Sequence, residues 1–73
     1  MKIKGKVIKV NLEGGFWGIV DDAGQEWLPI NMPEQLKVDG AAVEISAQEV
    51  DVMSMFNWGT AIEIRSFHTL PRF

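Results

Sequence analysis

Ile3-Lys4-Gly5-Lys6-Val7-Ile8-Lys9-Val10-Asn11-Leu12 is the stretch that decides the fold. Side chains alternate across a strand, so residues two apart share a face. Ile3, Gly5 and Val7 share one face; Ile8, Val10 and Leu12 share the other. The apolar face therefore switches between Val7 and Ile8, close to a glycine. A long strand that changes face near a glycine predicts a bulge or a sharp bend. Such a strand can serve both halves of a small closed barrel.

Outward from it, turns punctuate the chain. Glu13-Gly14-Gly15 predicts a turn and Phe16-Trp17-Gly18-Ile19-Val20 a second strand. Asp21-Asp22-Ala23-Gly24 predicts a hairpin connection with Gly24 at positive φ. Gln25 to Ile30 predicts a third strand, with Leu28 and Ile30 on one face. Pro29 lacks a ladder N–H, so this strand lies at an edge or stops there. Asn31 to Leu36 holds the one short helix or turn, near residues 32–36, with Asn31 as cap and Pro33 in its first turn. After a turn at Asp39-Gly40, Ala41 to Gln48 alternates: Val43, Ile45 and Ala47 inward, Glu44, Ser46 and Gln48 outward. A further strand is expected from Val52 to about Trp58, ended by Gly59. The last runs from Ala61 to Ser66 with Ile62 and Ile64 inward. Pro71 argues for an irregular end, giving one barrel domain over residues 1–67 and a tail over 68–73.

Composition narrows the class. The 73 residues are 47% apolar and 23% charged, which excludes disordered and collagenous chains. There is no cysteine, so no disulfide and no thiolate zinc site, and the single His cannot replace one. So short a chain buries only about 60% of its unfolded surface, and barrel closure removes edges that would otherwise be sticky. The expected fold is all-β: a small closed or partly open barrel of five to six strands. An OB-fold-like barrel fits the bent first strand and the short helix after the third; an SH3-like barrel is the rival. No apolar run approaches the roughly 18 residues of a membrane span. Met1 to Lys6 has charges without a following apolar stretch, unlike a secretory signal. A cytoplasmic location, with no membrane contact, is the expectation, unless a signal peptide has been removed.

Lys4-Gly5-Lys6-Val7 followed by Gly15-Phe16-Trp17-Gly18-Ile19-Val20-Asp21-Asp22 resembles the first two strands of cold-shock-type OB domains. The resemblance covers about the N-terminal third. It implies single-stranded nucleic-acid binding, with Phe16 and Trp17 stacking bases and Lys6 holding phosphate. Trp27-Leu28-Pro29-Ile30 departs from that family's third strand, which is aromatic and carries a histidine. The whole chain, through Leu28-Pro29-Ile30-Asn31-Met32-Pro33 and Trp58-Gly59-Thr60, also looks like small prokaryotic barrel domains, a resemblance that implies no activity.

Charge argues against a polyanion partner. Lys2, Lys4, Lys6 and Lys9 stand without an acid in residues 1–12, but residues 13–51 carry nine acids against Lys37 alone. A nucleic-acid binder normally presents a basic face. On the first expected strand the lysines double as guards against edge pairing. No catalytic constellation is visible. His68, beside Ser66 and Thr69, falls in the expected tail, and Asp21-Asp22 and Glu49-Val50-Asp51 are turn formers. No cofactor, metal or enzymatic activity is expected.

The aromatics and methionines remain. Phe16 and Trp17 are strand neighbours on opposite faces, while Phe56 and Trp58 alternate with Met53 and Met55. Both segments are apolar on two sides, yet a barrel has one interior. The surplus is expected to cap the barrel ends or to form an interface, since Trp and Met are enriched in interface cores. The expected function is a non-enzymatic interaction module. It binds a protein partner or a second copy through Phe16, Trp17, Met53, Met55, Phe56 and Trp58. The alternative is single-stranded nucleic-acid binding through Lys2, Lys4, Lys6, Lys9, Phe16 and Trp17.

Overall fold

The computed structural model describes residues 1–12, 14–51 and 58–69. Strand β1 (Lys2–Val10) is the one on which the barrel closes. Its second half, Gly5 to Val10, pairs antiparallel with β2 (Phe16–Asp21). Its first half, Lys2 to Lys6, pairs antiparallel with β4 (Ala42–Glu49). Gly5 and Lys6 are flanked on both sides. A Cβ on Gly5 would stand 2.2 Å from the Val20 carbonyl oxygen and 2.6 Å from the Asp21 Cα, so only glycine lets β2 cross there. Ile3, Gly5 and Val7 are buried, while Ile8 and Val10 are half-buried on the outward side. The apolar face switches as expected from the sequence, and the ladders of β1 show no register shift. β1 ends at Val10, and Leu12 is exposed beyond it.

β2 continues antiparallel into β3 (Glu26–Pro29). β3 then pairs in parallel with β5 (Thr60–Thr69), from Trp27 opposite Thr60 to Pro29 opposite Ile62. β5 also pairs antiparallel with β4, which completes a closed barrel in the order β1-β2-β3-β5-β4. Among the described residues this is an all-β barrel of five strands with one short 3-10 turn, Glu34–Leu36.

The core is Ile3, Val7, Ile19, Leu36, Val43, Ile45, Ala47, Ile62 and Ile64. Trp17, Trp27, Met32, Ala41 and Phe67 pack around it, half-buried. Leu36 explains why so short a turn persists. Its side chain is fully buried, and burying a leucine stabilises by about 1.5–3 kcal/mol.

Several expectations are corrected. β3 ends at Pro29, and Ile30 is 48% exposed instead of sharing the burial of Leu28. The Ile30 N–H donates to the Ile62 carbonyl, which is the last backbone bond of that ladder. Asn31 is no helix cap; Pro33 occupies that position in extended backbone. Instead the Asn31 Nδ2 donates to the Ile64 carbonyl at 3.0 Å and Oδ1 accepts from the Ile64 N–H at 2.8 Å. A side-chain amide thus imitates a strand residue and prolongs the pairing with β5. β5 itself runs to Thr69, so His68 and Thr69 belong to the barrel and not to a tail. The irregular register lies between Ser46 and Ala47, where Arg65 is the extra residue of β5, and not in β1. The strand expected from Val52 falls mostly on residues 52–57, outside the described residues, as does the chain beyond Thr69.

Candidate functional site

Trp17 of the candidate set, and Trp27 outside it, both turn towards the core. Trp17 follows the parity of buried Ile19 and packs on the core. The Lys9 ammonium lies 5.9 Å from its ring centroid, within reach of a cation–π attraction. Trp27 also packs on the core, and its indole Nε1 donates to the Asp21 carboxylate at 2.9 Å. That bond is the main cause holding Asp21 below the ordinary carboxylate pKa. Partial desolvation opposes it, and the N–H groups of Gln25 and Ala23, each 2.9 Å from Oδ1, reinforce it. Asp21 is therefore a turn former and an anchor for Trp27, in a hairpin where Gly24 sits at φ 85°.

The other face of β2 is different. Phe16, Gly18 and Val20 alternate with the inward residues and stand opposite Val10, Ile8 and Lys6 of β1. Trp58, from the segment entering β5, lies across Gly18. A Cβ there would meet its six-membered ring at 2.4 Å. Phe16 meets Trp58 edge-on, with ring centroids 5.6 Å apart and planes at 66°. This is a favourable arrangement for two quadrupoles. Leu28 of β3 is buried yet stands apart from the inner cluster, and it alternates with inward Trp27. The outward side of β1, β2 and β3 thus carries a second apolar layer of Ile8, Val10, Phe16, Val20, Leu28 and Trp58. A glycine within a strand permits close approach by another group, and Gly18 is where the Trp58 ring sits.

The structure brings Phe16 and Trp58 together, with Trp17 on the other side of the same strand. Met53, Met55 and Phe56 lie outside the described residues. The candidate lysines separate. Lys9 joins Trp17, whereas Lys2 and Lys4 sit on the half of β1 that pairs with β4, and Lys6 lies between. None of Lys2, Lys4 and Lys6 forms an ion pair among the described residues. Among those residues no three His, Asp or Glu side chains gather as a metal ion would require. No described helix is long and apolar enough to cross a membrane. No family model, curated protein or solved structure matches the chain.

Proposed function

We propose that the chain is an OB-type barrel acting as a non-enzymatic interaction module, which docks a protein partner or a second copy on the outward face of β1 and β2. The OB assignment is supported by the strand order, the first strand shared between two neighbours, the parallel step from β3 to β5 and the turn between β3 and β4. OB barrels bind their ligands over the second and third strands and the flanking loops, which is where this aromatic pair stands. The observation that carries the function is Trp58 laid across Gly18 and edge-on to Phe16, half-exposed outside the core. Large aromatics held rigid at a surface lose little entropy on docking and dominate interface energies.

One observation favours the alternative of single-strand nucleic-acid binding: Lys9 of β1 stands beside Trp17 of the neighbouring β2. The two are separated in one experiment. Sedimentation of the full chain over a hundredfold concentration range should show association, lost in Trp58→Ala at a cost of about 2 kcal/mol or more. Gly18→Ala should lose it too, because its methyl displaces the ring. An oligonucleotide titration that quenches tryptophan at low salt and fades with added salt would establish the alternative instead. A monomer that neither associates, nor binds a candidate protein, nor responds to the oligonucleotide would refute both.

A further inference from the structure

The outward face of β4 and its two neighbours carries polar residues in register. Lys4, Glu44 and His68 form one cross-strand row, and Lys2, Ser46 and Ser66 form the next. Between the rows lies a cavity of about 110 Å³ lined by Lys2, Glu44, Ile45, Ser46, Ser66 and His68. The rows exist because of the irregularity at Arg65, which brings Ser66 opposite Ser46 after Ala47 has paired with Ile64. Such bulges re-aim side chains and are frequent beside functional sites.

Charge bookkeeping decides what the cavity can hold. Arg65 is taken by Glu63 at 2.9 Å and by Gln48 at 2.7 Å. The one carboxylate of the cavity, Glu44, has its Oε1 3.5 Å from the His68 Nε2 and faces Lys4 across the ladder. The Lys2 ammonium and the hydroxyls of Ser46 and Ser66 have no partner among the described residues. With Lys2 and Lys4 against Glu44 the surroundings keep an excess of positive charge. An ammonium and two hydroxyls are donors that suit an acceptor-rich oxyanion, while a cation would find only Glu44.

We propose that this notch binds a small tetrahedral oxyanion, either free phosphate or the phosphate of a phosphomonoester. Lys2 supplies the counter-charge. Ser46 and Ser66 donate through their hydroxyls, and the exposed His68 ring lines the notch beside them. Glu44, with its Oε1 3.5 Å from the His68 Nε2, stands at the rim beside the imidazole. The site lies on a different face from the aromatic layer and stands whether or not that layer docks a partner.

His68 is the only histidine of the chain, so its ring signals in an NMR spectrum have one source. The full chain is titrated with inorganic phosphate and, separately, with glycerol phosphate, at constant pH and at an ionic strength held constant with chloride. Saturable movement of the His68 ring signals and of the Lys2, Ser46 and Ser66 amides is expected. Tighter binding of the ester would assign the site to phosphomonoesters, and equal binding to the free anion. Lys2→Gln, on an exposed side chain, should weaken binding roughly tenfold, the worth of a charge-assisted hydrogen bond. Ser46→Ala with Ser66→Ala should weaken it several-fold. No movement beyond that produced by chloride alone would overturn the proposal, as would undiminished affinity in Lys2→Gln with its amide spectrum intact.

Discussion

Asp21 shows how much one side chain settles. Its carboxylate accepts the Ala23 and Gln25 N–H groups that shape the hairpin and the Trp27 indole that fixes an aromatic against the core. The indole bond, first among the causes, lowers its pKa in the folded chain. A depressed folded pKa means stabilisation that is fully present above the unfolded carboxylate value, about 3.9, and lost as pH falls through the folded value. Thermal unfolding followed from pH 6 to pH 2 should therefore show a steeper acid decline in the wild type than in Asp21→Asn. Trp27→Phe should flatten the same limb. Parallel curves for all three proteins would refute the role assigned to that hydrogen bond.

At the scale of elements, Gly5 sets the close approach of β2 to β1. Gly5→Ala must push its methyl into the backbone of β2, which cannot yield as a flexible side chain would. The expected loss is about 3 kcal/mol, at the upper end for overpacking. Urea unfolding measures it, and a wild-type midpoint would contradict the tight crossing. The face switch of β1 was legible because alternation broke close to a glycine, and β4 was legible because Val43, Ile45 and Ala47 alternate without interruption. What escaped is non-local. The parallel pairing of β3 with β5 joins Trp27 to Thr60 and leaves no mark in either segment. Asn31 before Pro33 looks like a helix start, and the same amide serves a strand only because Ile64 passes beside it. His68 and Thr69 read as a tail because polar residues before Pro71 carry no apolar periodicity; their partners, Glu44 and Val43, lie in a different strand. The oxyanion notch was invisible for the same reason. Of the aromatic face, Phe16 and Trp58 were legible, but which side of β2 each would take was not.

The molecule as a whole rests on a thin core. At roughly 0.05–0.15 kcal/mol per residue, 73 residues give about 4–11 kcal/mol. Ile62 is fully buried and paired to both β3 and β4. Ile62→Ala should cost about 2–5 kcal/mol, lowering Tm by some 10 °C or more. Calorimetry on the intact chain tests this, and a smaller shift would mean that the interior relaxes around the gap.

Among the described residues β5 is the last of five strands in chain order, and it borders both β3 and β4. During synthesis the first four strands leave the ribosome before it. Until Thr60–Thr69 emerges, β3 and β4 each present an open edge of the kind that recruits foreign strands. The barrel therefore cannot close before that segment is available. Closure is thus a late step, and before it the two edges stay open to foreign strands.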